Sequence, residues 1–205
     1  MKISTLYKLK FRRRRSGQTD HRKRLDLLKS RQPRLVVRKS LNAIRVQLVN
    51  YSPKGDLVNT TAFSHELKSA GWTYSKDSVP AAYLTGLLAG IRGKTAGLKE
   101  AVLDIGIYPP VKGSRLYAAL KGAIDGGIKI SANPEIFPKE ERIKGAHIAA
   151  YASKLKKESP ALYQKKFSAY LKQNADPEKI SAVFEQVKQK ILKGEVQKKV
   201  KKQHA

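Results

Sequence analysis

Apolar and polar positions alternate with a period of two in three short stretches between residues 34 and 63. Arg34–Ser40 (RLVVRKS) is dense in β-branched residues, and Ala43–Asn50 sets Ile44, Val46 and Leu48 against Arg45, Gln47 and Val49. Leu57–Phe63 follows a turn built on Ser52-Pro53-Lys54-Gly55-Asp56. With Leu41-Asn42 as the first connection, this pattern predicts an antiparallel meander whose basic, solvent-facing side carries Arg34, Arg38 and Arg45.

The period lengthens on either side of the meander. Thr19 is placed to cap a helix running to about Ser30, with His21, Leu25 and Leu28 on one stripe and Arg22, Lys23 and Lys29 away from it. Residues 1–16 hold no sustained apolar period and predict an extended arm, closed by Ser16-Gly17. Residues 64–78 predict loop or a short helix, with the only tryptophan, Trp72, in a packing role. Ser78 and Pro80 open a helix through about Arg92, whose Ala81, Ala82, Gly86, Ala89 and Gly90 permit close approach to a sheet. Glu100–Ile107 (EAVLDIGI) is almost continuously apolar and predicts a central strand covered on both faces. Ser114 caps the next helix, Gly126-Gly127 stops it, and Ile128–Ile130 reads as a short strand. From Lys139 to about residue 157 the pattern predicts one helix, and Ser159-Pro160 starts another. Asp176-Pro177-Glu178 opens a last one with Ile180, Val183, Phe184, Val187 and Ile191 along one stripe.

Charge changes the picture. The 205 residues include 43 Lys and Arg against 16 Asp and Glu, a net +27, while 40% hydrophobic residues suffice for a real core. Such an excess repels itself and calls for a polyanionic partner, either nucleic acid or an anionic membrane surface. The membrane reading is weak: no apolar run approaches the roughly 18–20 residues of a span, and MKISTLYKLK lacks the apolar stretch of a signal peptide. With no cysteine there is no disulfide, thiolate metal site or cysteine nucleophile, and the chain reads as cytosolic. Residues 1–40 carry net +13, residues 41–133 net +5 and residues 134–205 net +9, so the ends reach outward from a folded middle. The division that follows is a basic arm (1–17), a folded core (18–133) and a helical extension with a Lys-rich tail (134–205). Within the arm and first helix, FRRRRSGQTDHRKR (11–24) cannot be buried, because each unpaired charge costs several kcal/mol to desolvate.

Catalytic readings find less support. Gly93-Lys94-Thr95 ends like a phosphate-binding loop, but the glycine required five positions earlier is Leu88, and the segment closes a helix instead of opening one. His21, His65, His147 and His204 share no metal-ligand spacing. Asp104 lies in the strand where ribonuclease-H-type enzymes place a metal-binding carboxylate, yet one carboxylate is not a cluster. Lys112-Gly113-Ser114-Arg115, between Pro109-Pro110 and a helix start, is either a phosphate site or an ordinary cap with bases beside it.

PAAYLTGLLAG (80–90), EAVLDIGIYPPVKGSRLYAALKGAIDGG (100–127), ERIKGAHIAAYA (141–152) and the basic segment 11–40 occur in the order of one known family. Over about residues 5–155 the chain resembles universal large-subunit ribosomal protein eighteen, the family that binds 5S rRNA, in its archaeal and eukaryotic form. It departs at Ser131-Ala132-Asn133, where relatives usually carry a Pro-His pair. The resemblance implies an α/β fold, a mixed sheet flanked by helices with ribonuclease-H-like topology, with no catalysis, cofactor or metal. It implies contact with 5S rRNA, with large-subunit (23S-type) rRNA and with neighbouring ribosomal proteins, in the cytoplasm, with no membrane or small-molecule substrate. The contact residues expected are Tyr7, Lys8, Lys10, Phe11, Arg12, Arg13, Arg14, Arg15, Thr19, Arg22, Lys23, Arg24 and Lys29 at the N-terminal end. Arg34, Arg38, Lys39, Arg45 and Lys54 of the meander, and Lys112, Ser114 and Arg115, complete them. Arginine forks suit phosphates, and Phe11 and Tyr7 suit stacking on an unpaired base. The rival readings are a metal-dependent nuclease on the same topology and a general DNA-binding protein.

Overall fold

The meander forms as its alternation predicts. In the computed structural model, which describes residues 8–194 and 196, β1 (Arg34–Lys39), β2 (Ile44–Asn50) and β3 (Leu57–Phe63) pair antiparallel in sequence. β4 (Val102–Asp104) then joins β1 in parallel, giving the order β3-β2-β1-β4 and a mixed sheet in an α/β fold. Leu35, Val37, Ile44, Val46, Leu48 and Ala62 point to one side of it and are almost inaccessible. Each larger side chain of this kind contributes about 1.5–3 kcal/mol by leaving water.

Glu100–Ile107 is not a central strand. Only Val102–Asp104 pair, at one end of the sheet, and beyond them a single parallel bridge joins Glu100 to Lys129. The strand stops where Asp104 Oδ1 accepts the Gly106 N–H at 2.8 Å and Gly106 turns the chain at φ 65°. Val102, Leu103 and Ile105 are only half-buried and Ile107 is exposed, as suits a strand at the rim of the sheet.

The inner face of the sheet is covered by α3 (Val79–Thr95), opened by Ser78 Oγ accepting the Ala81 N–H at 3.4 Å. α4 (Arg115–Asp125) lies on α3 at backbone distance, because Gly86 and Gly90 of α3 meet the backbone of Ala119, Ala123 and Gly126, and Gly122 of α4 meets that of Tyr83 and Leu87. A Cβ at Gly86 would fall 2.7 Å from the Ala119 carbonyl carbon, and one at Gly126 would fall 2.8 Å from the Gly90 Cα. No larger residue fits there without parting the helices.

The helix expected over residues 139–157 is two, α5 (Glu140–Lys144) and α6 (Ala146–Glu158), broken at Gly145 with φ 81°. Beyond the left-handed backbone, which favours glycine, a Cβ there would press on Pro80 and Ile180 at 3.3 Å. α7 (Pro160–Lys166) and α8 (Ser168–Leu171) follow, and Asp176 then caps the entry to α9 (Ile180–Leu192), its Oδ1 accepting the Glu178 N–H at 3.1 Å. Ile180, Phe184, Val187 and Ile191 are buried, Val183 half-buried, and the Phe184 ring sits 5.6 Å from that of Tyr83 in α3. These side chains, Trp72 and the inner sheet face form one continuous core.

Candidate nucleic-acid interface

The outer face of the sheet is where the predicted contacts gather. It carries Arg34, Val36 and Arg38 of β1, with Arg38 directly opposite Arg45 of β2. Across it lies α2 (His21–Lys29), enclosing with the sheet a cleft of about 890 Å³. The cap of α2 is Asp20 in place of Thr19: Asp20 Oδ1 accepts the N–H groups of Arg22 and Lys23 at 3.0 and 3.3 Å. A carboxylate suits the positive end of a helix better than a hydroxyl. The Thr19 hydroxyl instead accepts from Arg13 Nε at 2.9 Å.

α2 is also rotated from its expected stripe. His21, Arg24, Leu27 and Leu28 are partly covered, whereas Leu25 is 60% exposed. The reason is an ion pair: Arg24 grips Asp56 through both terminal nitrogens, at 2.9 and 2.7 Å, and that fork sets which side of the helix meets the sheet.

Asp56 begins an alternating chain of charge. Arg34 Nη2 reaches Asp56 at 2.7 Å and Arg34 Nη1 reaches Asp104 at 2.6 Å, while Arg38 Nη2 reaches the other Asp104 oxygen at 2.9 Å. Arg38 Nη1 also donates to the Asp104 carbonyl at 2.7 Å. Arg24–Asp56–Arg34–Asp104–Arg38 thus ties α2, the β3 entry, β1 and β4 together. Arg34 is only 2% exposed, so it is an internal strut and not part of an exposed basic face. The register that places Asp104 beside β1 supplies the counter-charge that buries it. Asp56 is held below the usual carboxylate range, chiefly by its hydrogen bond from Arg24 and then by Arg34. Burial alone would raise Asp104, but Arg38 and Arg34 outweigh it and hold that carboxyl low as well. Both Asp104 oxygens are therefore engaged, and no cluster of three potential metal ligands occurs among the described residues. Asp104 stands in β4 as expected, but parallel pairing with β1 makes it the partner of Arg34 and Arg38, while the turn before β3 brings Asp56 to Arg24 and Arg34.

Of the expected contacts, most that face outward without a carboxylate partner lie at the N-terminal end. The arm is not extended throughout: Arg12–Arg15 form one helical turn, α1, and Gly17 at φ 64° folds it back toward α2. Four identical residues have no periodicity to read, but arginine is a good helix former and the turn needs no buried face. Phe11 is 75% exposed with its ring 5.4 Å from His21. Lys8, Lys10, Arg12, Arg14, Arg15, Arg22 and Lys23 are exposed, and none holds a carboxylate partner among the described residues. Lys29 is exposed but pairs with Asp26 at 2.7 Å. Lys39 lies 5.2 Å over the Tyr108 ring, Arg45 lies 5.1 Å over Phe63, and Lys54 is exposed in its turn. Tyr7 falls outside the described residues.

The second anticipated site is differently arranged. Arg115 is drawn to Asp77, pairing with its carboxylate and donating to its carbonyl at 3.0 Å. Lys112 lies 3.4 Å from Glu135, both exposed. The Ser114 hydroxyl is buried, meets no partner and does not cap α4. That loop presents little free charge.

Comparison with known proteins decides the family. A family model described as "Ribosomal large subunit proteins 60S L5, and 50S L18" matches residues 5–101, the stretch from the arm through the meander and α3. "Large ribosomal subunit protein uL18" of Korarchaeum cryptofilum is 53% identical over 191 residues, covering 93% of this chain and 97% of that protein. The chain belongs to the uL18 family. The likeness runs well past the 5–155 span legible from motifs, so the C-terminal helices are shared by this uL18 relative too.

Proposed function

We propose that this chain is a structural constituent of the large ribosomal subunit that binds 5S rRNA and helps anchor it to the large-subunit rRNA, in the cytoplasm. The observation that carries the reading is the contrast between two sets of cations. Arg34 and Arg38 of the sheet are held by Asp56 and Asp104, whereas Arg12, Arg14, Arg15, Arg22 and Lys23 of α1 and α2 are exposed and have no carboxylate partner among the described residues. The ion chain therefore acts as scaffolding that holds α2 in place, and α1 with α2 presents the charge to phosphates. Proposed contacts are Lys8, Lys10, Phe11, Arg12, Arg13, Arg14, Arg15, Arg22 and Lys23, with Arg38, Lys39, Arg45 and Lys54 bordering them. Arg34 is omitted because its guanidinium is buried between Asp56 and Asp104, and Arg24 and Arg115 because theirs are held by Asp56 and Asp77; Arg38 is kept because its side chain is 40% exposed beside Asp104. A-form helices hide their base edges, so recognition runs through phosphates, 2′-hydroxyls and exposed loops.

Replacing Arg12, Arg13, Arg14 and Arg15 together by alanine tests this. The salt dependence of 5S rRNA binding should flatten by about 3 units of slope, at roughly 0.7–0.9 per phosphate contact. An unchanged slope would remove the arm from the interface. Preference for 5S rRNA over duplex DNA in competition separates this reading from a general basic binder. Magnesium-dependent RNA cleavage that vanishes in Asp104→Asn would establish the nuclease instead.

A further inference from the structure

A second concavity, of about 1180 Å³, opens between the β1–β2 turn and the segment after β3 on one side and α6–α8 on the other. Its interior is carbon-rich: Trp72, Tyr74 and Phe167 are buried, and Ile148 and Tyr170 half-buried. Leu41 and Tyr151 stand at its mouth, 93% and 49% exposed. The polar tips of the two buried polar rings are already used, since the Trp72 indole N–H donates to the Ser75 carbonyl at 3.1 Å and the Tyr74 hydroxyl to the Asp176 carbonyl at 2.6 Å. Lys68, Lys76, Lys166 and His147 also line the groove, and no carboxylate among the described residues does.

Charge selects the occupant. A second copy of a chain at +27 is repelled by such a rim, and so is the C-terminal segment 197–205, which holds four lysines and no acid. An unpaired base is a poor fit, because Tyr151 is the most exposed ring and the deepest rings, Trp72, Tyr74 and Phe167, offer no free donor or acceptor to a base edge. The volume exceeds the roughly 300–1,000 Å³ typical of small-ligand pockets and suits a stretch of polypeptide. We propose that this groove docks a segment of a partner protein that carries apolar anchor side chains flanked by aspartate or glutamate. The anchors fill the Trp72–Tyr74–Phe167 interior, and the carboxylates meet Lys68 and Lys166 at the rim, where opposite charge sets specificity.

Trp72 is the only tryptophan, so its emission in the full-length chain reads this groove alone. Three probes are titrated: a short synthetic peptide alternating leucine or phenylalanine with glutamate, the same peptide with lysine for glutamate, and a short oligouridylate. The acidic peptide should give a saturable change in Trp72 emission that persists when Arg12–Arg15 are all alanine. In the Lys68→Glu, Lys166→Glu double variant, both positions being exposed, its affinity should fall about tenfold or more while the lysine peptide becomes the better ligand. An unchanged urea midpoint confirms that the variant is folded. The proposal is overturned by no response to the acidic peptide, by equal response to both peptides in the wild type, or by an unaltered preference after charge reversal. Displacement of the acidic peptide by oligouridylate at low concentration assigns the groove to RNA and equally overturns it. None of these outcomes bears on the 5S rRNA reading, which rests on α1 and α2.

Discussion

Replacing Gly122 by alanine attacks the joint that lets α3 carry both the sheet and α4. The new Cβ would lie 2.8 Å from the Leu87 nitrogen and 3.0 Å from the Tyr83 carbonyl carbon, and closer still to the Tyr83 oxygen. All three are backbone atoms of a helix and cannot rotate away. Since unstrained carbon contacts sit at about 3.5–4.0 Å, α4 must withdraw by roughly 1 Å, and a gap of that size forfeits about a quarter to a half of each contact energy along the seam. Overpacking and the resulting looseness cost about 3–5 kcal/mol, and alanine's better helix propensity returns about 1, leaving a net loss of about 2–4 kcal/mol. Gly93→Ala is the matched control, because its Cβ would meet only the side-chain ends of Leu48 and Ile128, which can change rotamer. It should cost about 1 kcal/mol or less. Urea unfolding followed by Trp72 emission and by circular dichroism gives both values. A Gly122→Ala midpoint equal to wild type, or no lower than that of Gly93→Ala, would refute the backbone-contact reasoning.

Two further expectations concern caps and acid. Ser78→Ala should cost about 1 kcal/mol because its hydroxyl caps α3, whereas Ser114→Ala should be neutral or slightly stabilising, since a buried hydroxyl without a partner is a liability; thermal midpoints of the pair decide it. Asp56 and Asp104 both have folded-state pKa values depressed below their unfolded ones. Their contribution is therefore complete above the unfolded value of about 3.9 and is lost as pH falls through the lower folded values. Stability against urea measured from pH 6 down to pH 2 should show a loss below about pH 4 that shrinks in Asp56→Asn; an identical acid limb in that variant would contradict the ion chain.

What the sequence made legible was local. Alternation in Ala43–Asn50 placed a strand correctly because one face of that strand is buried and the other is not. Asp176-Pro177-Glu178 announced a helix start because capping chemistry involves only neighbouring residues. The misplacements share a cause in contacts far apart along the chain. Arg34 reads as exposed until Asp104, 70 positions later, is set beside it by parallel pairing. The rotation of α2 turns on Asp56, 32 positions from Arg24, and nine residues with three leucines do not define a unique stripe. The break at Gly145 depends on Pro80 and Ile180 closing around it, and neither is near in sequence. The outward-facing cations of α1 and α2 were readable for the opposite reason: Arg12, Arg14, Arg15, Arg22 and Lys23 have no carboxylate partner elsewhere among the described residues.

The position of β3 at the rim of the sheet bears on how the free chain behaves before anything covers it. An unpaired strand is a template for another strand, and Leu57 and Val58 are exposed on this one. Arg92, reaching across from α3, donates to the Thr61 carbonyl of this strand at 2.6 Å and is braced by Glu66 at 2.6 Å. The ladder also slips by one residue between Leu48 and Val49, which breaks the straight run of hydrogen-bonding groups. An arriving strand therefore meets a carbonyl already occupied, a kinked register and a positive charge. The same fold that gathers cations to hold an RNA also discourages its own copies from stacking edge to edge while no RNA is present.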